Sequence, residues 1–441
     1  MMKIAIWGYG KYGRRMFESL TRLCPEEYEV ACVYDTAYRK LNTAEGEHAL
    51  RIRNPAEMPE DYKKGVFEKI LLCIFNVWQK PKQFLNKYSI PELHLGSPDN
   101  FYPMLLFEQV VKPFQMQQEG YDFCVLKNVN GAMANYESDE LLYLYDNKGR
   151  VLKEHWSHWG VAHIAFVHDY PFNFRNHNAD KKFFKGEYCV LTKKFAGNYW
   201  HFTYQCLDVV WLLEKAGYRG KYIIPNKRFC SELMHLLDIA PERIITLSTF
   251  EHNKEYIFEN VFYIASNKNH AIHSVPVLLE IAEYIRKKLP VDQSLPKKLY
   301  VKRIGTRKLL GADKLLSEYG FAVMIPENYS VLEQMVLFYN ADIVFCVHGA
   351  NSTNCLYMRK GTVFIEAFSS KWMNRCNLYT TVTNGVHYLP VSTLETIRDN
   401  NYDAVIRDFM FPEILLRSSI QNAFLIYKAQ HGSVCSPTVM G

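Results

Sequence analysis

Apolar and polar residues follow one another along this chain in three different rhythms, and each rhythm predicts its own elements. At the start, the apolar run KIAIW stops at a glycine turn, Gly8-Tyr9-Gly10-Lys11-Tyr12-Gly13, and the amphipathic stretch RRMFESLTRL follows. Two further apolar runs, YEVACVYD and KILLCIFN, complete the strand–turn–helix–strand pattern of a βαβ unit, here assigned to residues 1–112. Residues 113–295 open with strand-like alternation in YDFCVLKNV and LLYLYDNKGRVLKEHW, the latter hinged on Asn147-Lys148-Gly149 as a hairpin. The strands EYCVLT, KYIIPN, RIITL and VFYIAS come next, among helices over 199–216, 228–239 and VPVLLEIAEYIRKKL. The segment LPVDQSLPKK has two prolines and no period, which marks a linker. Beyond it, in 296–441, the near-continuous apolar runs LYVKR, FAVMIP, ADIVFCV and TVFIEAF alternate with helical patterns. Such runs predict an α/β segment whose parallel sheet is covered on both faces.

Composition narrows this picture only in places. No window of eighteen apolar residues occurs, so no bilayer-spanning helix is expected. The first apolar stretch is short and runs into a glycine turn, which does not read as a signal peptide; a cytoplasmic protein is the expectation. A net charge of +6 suits an anionic substrate or peripheral contact with an anionic membrane, and is no nucleic-acid signature. Eleven cysteines without a C-x-x-C pair read as reduced thiols, and no zinc site is expected.

Candidate chemistry gathers in FCVHGANSTNCLYMRKGTVFIEAF. A buried strand ends there on His348 and Gly349, at the edge of a parallel sheet where ligands bind. Gly349 and Ala350 project almost nothing, and a helix starting near Ser352 aims unpaired N–H groups at the same point. The segment His348–Asn351 with Asn354 therefore reads as a phosphate cradle, or as an ordinary turn with a hydroxyl N-cap. In YVKRIGTRK, Arg303 and Arg307 offer guanidinium forks to phosphate, or are two solvated loop arginines. Glu366 ends another strand, where a carboxylate accepts both hydroxyls of a ribose or caps a turn. Taken together these residues describe a pocket for a nucleotide diphosphate. The chain has no Asp-x-Asp, so Arg303, Arg307 and the 349–354 amides are expected to meet the diphosphate without a metal.

The block from YVKRIGTRK through SVLEQMVLFYNADIVFCVHGANSTNCLYMRKGTVFIEAF resembles the donor-binding half of glycosyltransferase family 61. In that family a strand-ending Arg, a second Arg, a Ser-x-x-Glu-Gln helix and a His-Gly-Ala turn recur in this order. Ser330, Glu333, Gln334, Asp342 and Asn354 fit, while Asn351 stands where glycine is usual. Upstream, GNYWHFTYQCLDVVWLL is similar to the family's Asn-Tyr-x-His segment, with Asn198 as helix cap. The resemblance spans roughly 115–430 by motif spacing. It implies a GT-B pair of Rossmann-like lobes and inverting, cofactor-free transfer from a nucleotide-diphosphate sugar to a glycan or lipid-linked glycan. It also implies a donor-site role for Glu333 and makes His201 the first candidate base and Asp208 the second, with Asp169 weaker. The setting it implies is capsule or lipopolysaccharide synthesis at the inner face of a bacterial inner membrane.

Two rival readings remain. Gly8, Gly10 and Gly13 with Asp35 form a dinucleotide fingerprint, which raises an NAD-dependent oxidoreductase acting on sugars. No acid or base series follows before residue 110, so a nucleotide-binding or docking module, with NAD or another nucleotide, is expected there. Gln205, where family members often carry an acid, points instead to a non-catalytic scaffold in polysaccharide assembly.

Overall fold

The structure is a computed structural model. It describes residues 1–9, 14, 17, 28–39, 52–72, 79–92, 101–102, 110–111, 121–136, 139–145, 151–152, 181–193, 195–251, 254–266, 274–369, 373–392 and 407–432. The class is α/β, as expected. By its internal contacts the chain divides into two compact units. One comprises Met1–Gln115, Asp122–Lys194 and Thr246–Ala265, the other Met116–Tyr121, Phe195–Ile245 and Ser266–Gly441. The segment 113–295 is thus shared out. The cause is a parallel pairing of Lys181–Val190 with Glu255–Ser266, which draws the second strand into the first unit and leaves 195–245 to the other.

In the first unit, four parallel strands lie in the order Ile52–Arg53, Tyr28–Tyr34, Met2–Trp7, Lys69–Leu72. Counted along the chain this is 3-2-1-4, the arrangement of a mononucleotide-binding half. Ala5, Trp7, Cys32 and Tyr34 pack there with Met58, Phe67 and Leu85. The long strand Tyr121–Tyr136 pairs antiparallel with Asp139–Tyr145, and Tyr145 pairs across the hinge with Val151, as the hairpin predicts.

In the second unit, five parallel strands lie in the order Ala322–Met324, Lys298–Val301, Ile343–Val347, Val363–Phe368, His387–Ser392. Side-chain alternation explains their apolar runs. Tyr300, Phe345, Val347, Ile365 and Ala367 meet Leu315, Leu316, Ile420 and Ala423, while Leu299, Val301, Val344, Cys346 and Phe364 meet Phe338, Cys355 and Met358. Both faces are covered, so the interior strand positions are apolar, apart from Glu366 in Val363–Phe368. Each large apolar side chain buried in this way contributes about 1.5–3 kcal/mol, more than any single polar contact at the strand ends, so packing sets the frame of the site. In chain order the sheet reads 2-1-3-4-5. Its winding reverses between Lys298–Val301 and Ile343–Val347, and it is beyond the carboxyl ends of strands at such a reversal that open α/β sheets bind ligands.

Two expected helices differ in detail. The 199–216 helix breaks at Cys206 into Tyr199–Gln205 and Leu207–Lys215. The helix expected after 352 is a 3₁₀ helix over Ala350–Tyr357. Its hydroxyls do not cap N–H groups. Ser352 Oγ donates to the Gly349 carbonyl at 2.6 Å, and Thr353 Oγ1 donates to that of Ala350. Such back-bonding over three residues suits the tighter helix. No helix among the described residues is long and apolar enough to cross a membrane. The eight described cysteines are all free thiols, seven of them buried.

Candidate functional site

Arg303 leaves the end of strand Lys298–Val301, and Gly349 leaves the end of its neighbour Ile343–Val347, so the sheet brings both to the point of reversal. Nε of Arg303 donates to the Thr306 carbonyl at 2.9 Å, and Nη1 donates to the His348 carbonyl at 3.3 Å. The guanidinium therefore lies directly on Gly349. A Cβ built on that residue would overlap Nη1 and stand 2.9 Å from Cζ. The backbone at Gly349 is extended (φ 170°, ψ −172°), a conformation open to any residue, so contact and not conformation requires the glycine there. Burial lowers the proton affinity of Arg303, and no carboxylate among the described residues pairs with it. Glu327 attracts it from a distance without a direct ion pair; a partly desolvated cation so placed is costly, and an anionic ligand reduces the cost.

The amides of Gly349, Ala350 and Asn351 point the same way: none finds an acceptor among the described residues. They are the unpaired first donors of the 3₁₀ helix. Asn351 is partly exposed, and its side chain makes no hydrogen bond among the described residues. Arg307, four residues past Arg303 on the same loop, adopts a left-handed backbone (φ 61°) and is partly buried. For a side chain of that size the conformation costs about 1–2 kcal/mol.

His348 and Glu366 form a buried pair. Imidazole Nδ1 lies 2.7 Å from Glu366 Oε1, the ring stacks on Phe368 with centroids 4.7 Å apart, and Glu366 is fully buried. The expectation of Glu366 as a ribose acceptor meets an obstacle. Its oxygens already accept from His348, from Asn377 Nδ2 at 2.9 Å and from Tyr388 O–H at 2.6 Å. Burial alone would push this carboxyl up, but the His348, Tyr388 and Asn377 donors outweigh it and hold it below the ordinary carboxylate range. Sequence reading missed Asn377 and Tyr388. Tyr388 sits on the strand next to Glu366, a register that no motif announces.

Three other expected site residues serve the scaffold. Asn354 is fully buried, its Oδ1 accepting from Tyr199 O–H at 2.7 Å and its Nδ2 donating to Gln334 Oε1 at 3.0 Å. It joins three segments, with both side-chain polar atoms already engaged. Glu333 closes a capping box, accepting from the Ser330 N–H and hydroxyl at 2.7 Å each. Those bonds, the backbone one first, lower its pKa. Asp208 is fully buried, accepting from Tyr121 O–H at 2.8 Å and from its own neighbour's amide, Val209 N–H.

Asn198 caps the helix Tyr199–Gln205 as expected, accepting from Trp200 N–H at 3.0 Å. His201 lies in its first turn, in ring contact with Phe195 and Trp200, with Nδ1 2.9 Å from Gln205 Oε1. Gln205 thus occupies the acid's place as a hydrogen-bond partner of the same ring. Burial lowers the His201 pKa to about 4, with the Gln205 bond opposing it, so the ring is neutral at physiological pH.

At the N-terminal turn, Gly8 has the positive φ of a glycine turn (102°) and donates to the Tyr34 carbonyl. Asp35 accepts from Tyr9 N–H at 2.6 Å and Ala37 N–H at 2.7 Å, one bond on each oxygen. Its carboxylate closes the turn. Gly10, Gly13 and Asp169 lie outside the described residues. Among the described residues no group of three or more His, Cys, Asp or Glu is placed to hold a metal ion.

Residues 199–365 match the family model described as Glycosyltransferase 61. The match begins at Tyr199 and takes in Arg303, His348, Gly349 and Asn354, and it stops one residue short of Glu366. No curated protein matches the chain.

Proposed function

Glycosyltransferase family 61 is the family of residues 199–365, and on that premise we propose that the chain moves a sugar from a nucleoside-diphosphate sugar to a hydroxyl of a glycan acceptor. Glycosyl transfer follows from the family. The donor class rests on one observation above the rest: the guanidinium of Arg303, with no direct ion pair among the described residues, laid across Gly349 beside three free amides. That arrangement supplies positive charge where a diphosphate gains negative charge on leaving. In this reading the transfer inverts the anomeric carbon, needs no metal, and is helped by Arg307 and Asn351. The acceptor is a lipid-linked glycan of capsule or lipopolysaccharide synthesis at a cytoplasmic membrane face, where the net charge of +6 favours an anionic surface.

Incubation with a mixture of uridine-, guanosine- and cytidine-diphosphate sugars tests this reading. Free nucleoside diphosphate should appear, faster when glycan is added; none from any donor sinks the proposal. His201 is the candidate acceptor of the hydroxyl proton, being neutral and partly accessible at the head of its helix. His201→Ala is expected to leave nucleoside-diphosphate affinity intact while turnover drops by about 10²–10⁴. Unchanged turnover removes His201 from the role.

A further inference from the structure

We propose that the donor diphosphate binds together with one proton, carried by His348 as an imidazolium that Glu366 anchors at Nδ1 and that donates from Nε2 to a phosphate oxygen. This rests on the reading of the crevice as a nucleoside-diphosphate site. Nδ1 is spoken for by Glu366, and Nε2 has no partner among the described residues and is not sealed inside the fold. His348 also directly precedes Gly349, Ala350 and Asn351, whose amides are free, and its carbonyl holds Arg303. The one ring nitrogen left over thus belongs to the residue that immediately precedes the group of donors that an anion fills.

Charge accounting explains the proton. Glu366 accepts from His348, Asn377 and Tyr388, and an ionised Glu366 beside a neutral imidazole brings one negative charge to the wall of an anion pocket. An incoming diphosphate would meet that charge across a short, poorly screened distance. Taking up a proton makes the His348–Glu366 pair neutral overall and turns Nε2 from an acceptor into a donor. The balance is simple: enzyme, nucleoside diphosphate and one hydrogen ion give the complex, and the proton is returned to solvent on release.

The groups that face the pair come from every neighbouring element. Arg303, from the loop after Lys298–Val301, opposes protonation, while Glu366 favours it. Tyr388 and Asn377 only donate to Glu366. The thiols of Cys346, Cys355 and Cys376 are held protonated by burial and contribute no charge. Phe368 covers one ring face. Arg303 and the imidazolium repel one another until the anion arrives between them, so the proton and the ligand come as a pair.

Titration calorimetry on the full chain, with uridine, guanosine, cytidine and thymidine diphosphates in turn, decides the matter. Runs in buffers of different ionisation enthalpy count protons. The window from about pH 7.5 to 9 is chosen because a terminal phosphate, with its last pKa near 6, is already ionised there. The tightest-binding nucleotide should take up close to one proton at the low end, and its affinity should fall by up to tenfold per pH unit. His348→Gln, shown folded by its melting curve, should bind more weakly with no proton uptake and a flat pH profile. Binding without proton uptake by the unaltered chain overturns the inference and leaves the diphosphate site standing. So does uptake that persists in His348→Gln. If none of the four nucleotides binds, the site reading itself fails, and the inference with it.

Discussion

Gly349→Ala weakens nucleoside-diphosphate binding by about 2–4 kcal/mol, or some thirty- to thousandfold in affinity, the range for losing one member of a buried charged contact. The substitution adds a single methyl group, and no backbone strain comes with it because φ is extended. Its effect comes from the space already taken: the new Cβ would sit on Arg303 Nη1. The guanidinium must swing away, which breaks its bonds to the His348 and Thr306 carbonyls and removes the cation from the three amides. Arg303→Ala is expected to cost about as much, and Arg303→Lys nearly so, because an ammonium cannot span two carbonyls and still present a fork. The sharper outcome is the pair. With Arg303 already truncated, Gly349→Ala has nothing left to displace, so the double variant should bind no worse than either single one within about 0.5 kcal/mol. Calorimetry on the three variants measures this directly. If the losses add, the two residues act separately and the cradle is not built as described.

Asn354→Ala is expected to do the opposite: little to nucleotide affinity and much to stability. Its side chain satisfies Tyr199 O–H and Gln334 Oε1 in a fully buried position. Truncation leaves both groups without a partner, at about 1–3 kcal/mol each. A loss of about 2–6 kcal/mol in the second unit should appear as a melting transition lower by several degrees or more. Thermal melting with and without nucleotide checks both halves. An unchanged transition together with lost binding would return Asn354 to the donor site, where the family motif had put it.

These two positions show how far the sequence could be read. The apolar rhythm of 296–441 announced the parallel sheet because both faces are buried, and burial on both faces leaves a mark on every strand residue. It also placed His348 and Gly349 at a strand end. What it could not carry was partner choice. Glu366 reads as a strand end in the sequence but lies inside strand Val363–Phe368 in the fold, and whether it meets a ligand or His348 depends on the register between Ile343–Val347 and Val363–Phe368, where Cys346 lies opposite Glu366. The motif Ser330, Glu333, Gln334 looks like chemistry because its residues are polar and fixed in spacing. The structure spends that spacing on a capping box and on carbonyls of the preceding turn, Pro326 and Tyr329. Asp208 shows a related limit: a carboxylate two turns past a histidine looks like a second candidate base in the sequence, and its burial against Tyr121 is visible only in the fold. The division into units was hidden altogether, since Lys181–Val190 and Glu255–Ser266 find each other across some seventy residues of intervening chain.

That last pairing also governs what shortened versions of this protein can do. The polypeptide passes from one unit to the other five times, at 115/116, 121/122, 194/195, 245/246 and 265/266, so no single scission frees either. A fragment beginning at 296 keeps every strand of the parallel sheet but strands Asn354 and Thr380 without Tyr199 and Tyr204, their hydroxyl partners. Any excised form meant to retain the grip of Arg303 on Gly349 must therefore reach back to Phe195, and so must bring along the excursion Thr246–Ala265 that belongs to the other half of the molecule.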